Sequence, residues 1–239
     1  MKKILFSILF MTLTGGLLFG QKTISDPTAE KRNVSGFHGI EVGTGIELLL
    51  TEGPAEQVAV SAASSEYRDK IVTKVENGIL KIYYDSKLGS VNKKKEDKDL
   101  KAYVSYKILD MLDATTGAEV KIEGVLKSSS LNLKANTGAL VNGEVSVTSL
   151  KVDQNTGSRI SLSGKADKLE IEGSTGSRFK GEDMISSNCN VTVSTGAIVS
   201  VQAEKELQVK ANTGGSVKYK GNATVREFKT NTGGSVSKI

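Results

Sequence analysis

Residues 131–139 read LNLKANTGA, and this stretch decides the fold of the chain. Its last three residues are a Thr-Gly pair and a small residue, and this phrase occurs seven times. Successive glycines are 21, 19, 19, 20, 18 and 19 residues apart. A repeat near 20 residues is typical of stacked units that bury their apolar sides against each other. The phrases begin at Thr116, Thr137, Thr156, Thr175, Thr195, Thr213 and Thr232.

Apolar residues recur at fixed distances from each glycine, with polar residues between them. This alternation on both sides of a turn predicts two half-buried strands in each repeat, because strand side chains alternate between faces. Asn or Ser before the Thr-Gly pair favours a tight turn. We therefore predict an all-β fold, a parallel β-helix-like solenoid of about 19-residue rungs. One predicted core column, five residues before each glycine, comprises Leu112, Leu133, Val152, Ile171, Val191, Val209 and Phe228.

A second column, seven residues before each glycine, places the only cysteine of the chain. Cys189 falls between Leu169 and Leu207, so we expect a buried small apolar residue rather than a reactive thiol. With one cysteine, no disulfide forms within the chain. At the last repeat this column reads Arg226, a departure from the pattern.

The N-terminus predicts export. Lys2 and Lys3 precede an almost wholly apolar stretch at residues 4–19, which is the pattern of a secretory signal peptide over residues 1–20. An uncleaved anchor is the alternative. Removing the two lysines lowers the formal net charge from +5 by two, to +3. Such a mild excess, together with export, argues against nucleic acid as a partner.

The region before the repeats has a different pattern. After a linker at residues 21–33, residues 34–110 predict an irregular β cap, and residues 111–239 form the solenoid. Residues 71–84 read as a hairpin around Asn77-Gly78, a strong turn signal. The lysine-rich stretch at residues 87–98 is expected to be a solvated loop; its alternative is a patch for acidic glycans or phospholipid headgroups.

The order of these segments resembles the head GIN domain family, whose members are described as putative autotransporter adhesins and are common in exported proteins of Bacteroidetes. The family more often has Ser-Gly-Ala-Gly where this chain has Asn-Thr-Gly-Ala or Asn-Thr-Gly-Gly. The resemblance implies a β-solenoid-like structure and an exported location, and it supplies no catalytic or binding residues. Besides the seven turns, it is carried by Phe37, Ile40, Val42, Gly45, Ile46, Leu48, Val75, Gly78, Leu80 and Ile82.

Few residues point to chemistry. The single histidine, His38, excludes a catalytic triad or a multi-histidine metal site within one chain. The turns lack the regular Asp that calcium-binding repeats need. We expect no cofactor, no metal and no enzymatic activity.

One group of charged residues on adjacent rungs gives the candidate binding residues: Asp153 and Glu172 four residues before the glycine, and Arg159 and Arg178 two residues after it. Rungs about 4.8 Å apart would bring these charges around one corner. One interpretation is a saccharide-binding or acid–base site, since paired carboxylates cleave glycosidic bonds. The alternative is a surface ion-pair ladder, in which each pair contributes about 0–1 kcal/mol.

The sequence thus predicts an exported, non-catalytic, adhesin-like binding protein in the periplasm, on the outer surface or secreted. A glycan or an envelope or matrix protein is the candidate ligand. A polysaccharide lyase or hydrolase on a β-helix scaffold, or a purely structural envelope protein, are the alternatives. The last rung has no covering helix, so its open strand edge predicts pairing with a partner such as a second copy.

Overall fold

The structure is a computed structural model that describes residues 26–86 and 97–239. The predicted signal peptide and most of the lysine-rich stretch lie outside these residues. About 65% of the described residues lie in strands and 2% in helix, with a β-solenoid of about seven turns after an irregular β N-terminal part. The elements are β1 (Glu30–Arg32), β2 (Gly39–Val42), β3 (Glu47–Glu52), β4 (Gln57–Ser61), α1 (Ser65–Arg68), β5 (Ile71–Glu76), β6 (Ile79–Tyr84), β7 (Lys101–Tyr106), β8 (Met111–Ala114), β9 (Glu119–Ala135), β10 (Leu140–Gln154), β11 (Arg159–Gly173), β12 (Arg178–Val193), β13 (Ile198–Ala211), β14 (Ser216–Lys220), β15 (Thr224–Thr230) and β16 (Ser235–Lys238).

Each long strand from β9 to β13 runs from one Thr-Gly turn to the next and makes most of one rung. Neighbouring long strands pair in parallel along most of their length. The register shifts mid-strand in three of these four pairs, for example between Asn142 and Glu144, whereas β10 and β11 pair without a shift. We divide each rung into two parts near these shifts. We call the part after the Thr-Gly turn the first leg and the part before the next turn the second leg.

The predicted core column is confirmed from Leu112 to Val209, but its last member, Phe228, is half exposed because no further rung covers it in the described chain. Leu133 lies opposite Val152, Val152 opposite Ile171, and Ile171 opposite Val191 in successive second legs. These four side chains are fully buried. Burying a side chain of this size contributes about 1.5–3 kcal/mol, whereas ordering each backbone residue costs about 1–2 kcal/mol. A rung is therefore stable only between neighbours that share its columns.

The N-terminal strands extend the same stack in an order that the sequence does not reveal. β2 and β3 form a rung that pairs in parallel with β8 and β9. β6 and β7 lie outside that rung, pairing in parallel with β2 and β3 although they follow them in sequence. Antiparallel strands β5, β4 and β1 cover the outer end. The β5–β6 hairpin turns at Asn77 and Gly78, as predicted, with φ of 52° and 76°.

In the second column, the predicted burial of Cys189 is confirmed, and the structure explains why Arg226 stands where the other repeats have an apolar residue. Cys189 is buried and lies opposite Leu169 and Leu207. At the next rung Leu207 pairs with Val225, and the register shifts before Gln208 pairs with Glu227. Arg226 is thus the extra residue of a β-bulge, which lets the chain continue the apolar column with Val225.

Candidate functional site

The corner of the solenoid is a repeated tight turn. Ser158 N–H donates to the Asn155 carbonyl at 3.1 Å, and the two residues between them, Thr156 and Gly157, have φ of 47° and 70°. These are the features of a type I′ turn. The Asn155 Oδ1 accepts from Thr156 N–H at 2.8 Å, which is the predicted side-chain support. The residue after Gly157, Ser158, is buried in this corner, and in the seven repeats this residue is Ala, Ser or Gly.

The same corner occurs once more in the described chain, where sequence analysis does not find it. Thr44 and Gly45 have φ of 60° and 71°, and Gly45 N–H donates to the Thr116 carbonyl at 3.0 Å. In the sequence this turn is a Thr-Gly pair followed by a bulky residue, Ile46, instead of a small one. Strands β4 to β7 separate it from the next turn, so its spacing does not match the repeat of about 19 residues.

The four predicted binding candidates are exposed on adjacent rungs on either side of the corner. Asp153 lies opposite Glu172, and Arg159 lies opposite Arg178. Among the described residues no ion pair joins the two carboxylates to the two guanidinium groups. Their role in binding stays a prediction.

An ion-pair network is present nearby, on the second legs. Lys151 Nζ lies 3.2 Å from Glu170 Oε1 and 3.7 Å from Glu172 Oε1. Glu170, through its hydrogen bond, is the main reason that the pKa of Lys151 is raised above its ordinary value. All three side chains are about half exposed, so this network orders the surface more than it stabilises the fold.

The outer face of the second legs also carries a shallow groove of about 250 Å³, which we call the second-leg groove. Outward side chains from four successive rungs line it, in two rows that follow the strand register. One row is Ser149, Lys168, Asn188 and Glu206, and the other is Lys151, Glu170, Asn190 and Gln208.

The polar groups of the second-leg groove fall into two sets. Lys151 is paired with Glu170, and Glu206 Oε1 accepts from Arg226 Nη2 at 2.8 Å. The amides of Asn188, Asn190 and Gln208 have no side-chain hydrogen bond within the described chain. The groove therefore offers amide donors and acceptors in a row, while most of its charge is already compensated. Alternation along each strand predicts that these side chains point outward. That they form a row follows only from the register between neighbouring rungs.

A column of charged residues runs beside the groove. Asp113 is half-buried and lies opposite Glu41 on one side and Lys134 on the other, and Asp153 follows Lys134. Burial raises the pKa of the Asp113 carboxyl above its ordinary value, and the negative charges of Glu41 and Asp153 raise it further while Lys134 opposes them. Asp113 is thus the carboxyl of this column that most resists ionisation.

The other two groups that could carry chemistry, His38 and Cys189, are held in structural contacts. His38 Nδ1 lies 2.7 Å from Asp110 Oδ1, and its ring packs against Gly78 in the hairpin turn. Burial raises the pKa of the Cys189 thiol to about 12, which keeps it protonated at neutral pH. In the part of the chain that the structure describes, no three His, Cys, Asp or Glu residues cluster as a metal site. No described helix has the length and apolar character to cross a membrane.

These features define a class of protein, a β-solenoid with a polar groove on one outer face. The sequence of residues 36–223 matches the family described as putative auto-transporter adhesin, head GIN domain. The chain belongs to this family. Among the curated proteins compared, none matches this chain.

Solved structures share the fold. A putative adhesin from Bacteroides fragilis NCTC 9343 is 16% identical with a TM-score of 0.78, over 88% of this chain and 96% of that one. A putative adhesin from Parabacteroides merdae ATCC 43184 is 16% identical with a TM-score of 0.70, over 88% and 95%. A putative lipid binding protein from Parabacteroides distasonis ATCC 8503 is 18% identical with a TM-score of 0.64, over 90% and 98%.

Proposed function

We propose that this chain is an exported, non-catalytic binding protein of the cell envelope that holds a hydroxyl-rich glycan along the second-leg groove. The observation that carries the proposal is the row of amides at Asn188, Asn190 and Gln208, which have no side-chain partner in the described chain. Each amide donates and accepts hydrogen bonds, as sugar hydroxyls do. Export is supported by the charged and apolar N-terminal stretch and by the adhesin description of the family.

The charges of the groove favour a ligand that carries little charge of its own. Lys151 and Glu206 already have partners of opposite sign, so a strongly charged polymer would compete with existing ion pairs. Lys168 has no ion pair within the described chain and is available to a single acidic sugar substituent. A neutral or sparsely acidic glycan therefore fits better than a densely charged one.

One relative with this fold is described as a putative lipid binding protein, and its ligand would need a different surface here. An acyl chain binds where apolar side chains form a concave site. The second-leg groove presents charged and amide side chains along both rows. The apolar residues that line it between the rows are buried, so it offers no exposed apolar side chain: Leu150, Leu169 and Cys189. This surface favours a glycan over a lipid.

A polysaccharide-cleaving enzyme is the second candidate, and the raised pKa of Asp113 favours it. A half-buried carboxyl that resists ionisation, near the carboxyl groups of Glu41 and Asp153, is typical of a general acid. Against catalysis, Asp113 lies outside the groove lining. Turnover of a polysaccharide that is abolished by Asp113→Asn would favour the enzyme over the binding protein.

The test is a glycan and matrix-protein array probed with the chain lacking residues 1–20. We expect retention on neutral or sparsely acidic glycans, reduced at least tenfold by the double substitution Asn190→Ala and Gln208→Ala. Asn142→Ala is the matched control, because Asn142 is an exposed amide on a first leg. Binding only to matrix proteins, binding unaffected by the groove substitutions, or a blank array would each overturn the proposal; a blank array would favour a purely structural role.

A further inference from the structure

The rung that contains β15 leaves core positions exposed. Phe228 continues the column of Val209, and Val225 continues the column of Leu207. Val209 and Leu207 are fully buried, whereas Phe228 is 45% exposed and Val225 is 38% exposed. Among the described residues, the Phe228 ring meets one other ring, that of Tyr219, edge to face at 5.7 Å between centroids. Two apolar columns thus end in contact with solvent at this rung.

The backbone of the same strand has an open edge. Within the described residues β15 pairs in parallel with β13, and no other strand pairs with it. An open edge next to exposed apolar side chains is a template for pairing with another strand. The edge is seven residues long, which is enough for a ladder of several hydrogen bonds.

The bulge at Arg226 gives this strand a symmetric pattern. Val225 and Phe228 lie opposite buried residues and face inward, while Thr224, Glu227 and Lys229 lie opposite outward residues of β13. When the strand is reversed about the midpoint between Arg226 and Glu227, its inward and outward positions coincide. The inward Val225 then takes the place of the inward Phe228, and the outward Thr224 takes the place of the outward Lys229.

We propose that β15 pairs antiparallel with β15 of a second copy of this chain, in the register that sets Val225 opposite Phe228 of the second copy. This register joins inward positions to inward positions, so the apolar columns continue across the interface. It also sets Arg226 opposite Glu227 of the second copy, where these opposite charges would adjoin the existing pairs of Arg226 with Glu206 and of Glu227 with Lys229. The arrangement is a two-fold dimer in which one strand supplies both sides, as isologous interfaces require.

Disulfide trapping tests the register. Because of the bulge, Val225 and Phe228 lie opposite Leu207 and Val209, so they are only about 7 Å apart and a disulfide within one chain would compete in a double variant. The two cysteines are therefore placed in different chains, where their counterparts in the dimer are directly opposite and within reach. We expect a mixture of Val225→Cys chains and Phe228→Cys chains to form a covalent dimer under mild oxidation, and each variant alone to stay monomeric under denaturing, non-reducing electrophoresis. Cys189 does not interfere, because it is buried.

A second experiment tests the dimer without engineered thiols. Sedimentation of the unmodified chain lacking residues 1–20 should show a concentration-dependent dimer, and Phe228→Glu should raise its dissociation constant at least tenfold. Ile108→Glu is the matched control, because Ile108 is 67% exposed but lies between β7 and β8, outside this rung. A chain that is monomeric at all concentrations overturns the proposal. Single cysteine variants that cross-link alone as readily as the mixture of the two overturn the register.

Discussion

Gly157 N–H donates a hydrogen bond of 3.0 Å to the carbonyl of Thr175 in the next rung. The same bond links Gly138 to Thr156 and Gly176 to Thr195, so the corner of the solenoid is itself a ladder. The bond forms because Thr and Gly both adopt positive φ, which turns their peptide groups along the stack. The repeated geometry of the corner therefore connects neighbouring rungs as well as reversing the chain.

Gly157→Ala should destabilise the solenoid. Gly157 has φ of 70°, and an added Cβ would meet no atom within 4 Å, so the cost is conformational rather than steric. A left-handed residue with a Cβ costs about 1–2 kcal/mol. Denaturant unfolding should show a loss of that size, while Lys165→Ala on the exposed surface of β11 should change the free energy of unfolding little. An unchanged midpoint for Gly157→Ala would contradict this account of the corner.

Thr156→Asn should stabilise the protein. Thr156 has φ of 47°, a conformation that β-branched residues rarely adopt and that Asn tolerates much better. We expect a gain of about 1 kcal/mol, at the lower end of the cost of a strained backbone position. Thr148→Asn in β10, where the backbone is extended, should give no gain. A loss of stability on Thr156→Asn would mean that contacts of the threonine side chain outweigh its backbone strain.

The sequence predicts the solenoid well because the fold rests on local alternation and a repeated turn, both visible in one chain. It does not predict that the β6–β7 rung lies outside the β2–β3 rung, because alternation fixes which face of a strand is buried but not which strand lies beside it. The sequence does not predict the second-leg groove for the same reason. Asn190 and Gln208 each look like ordinary outward residues, and only the strand register places them in one row. The sequence also suggests that the apolar column ends at Arg226, whereas the bulge there lets Val225 continue it.

Gln154→Met should raise stability. Gln154 is 1% exposed, and within the part of the chain that the structure describes neither polar atom of its amide has a hydrogen-bond partner. The same is true of the hydroxyls of the buried residues Ser158 and Ser177. A buried polar group without a partner costs about 1–3 kcal/mol. Methionine has a similar shape and no such cost, so we expect a gain within that range in thermal and denaturant unfolding. Gln208→Met on the outer face is the control. A loss on Gln154→Met would show that ordered water satisfies this corner.

Asp113→Asn should stabilise the protein in a pH-dependent way. Burial and the nearby Glu41 raise the pKa of Asp113 in the folded state, so the folded chain holds its proton more tightly than the unfolded chain does. Stability from this group is present at low pH and is lost as pH rises through the raised pKa. The amide removes that loss, so the gain in free energy of unfolding should be largest at neutral pH and disappear below the ordinary pKa of a carboxyl. Asp167→Asn, on the exposed surface of β11, should show no such dependence. A gain that is equal at pH 3 and pH 7 would locate the effect in packing instead of charge.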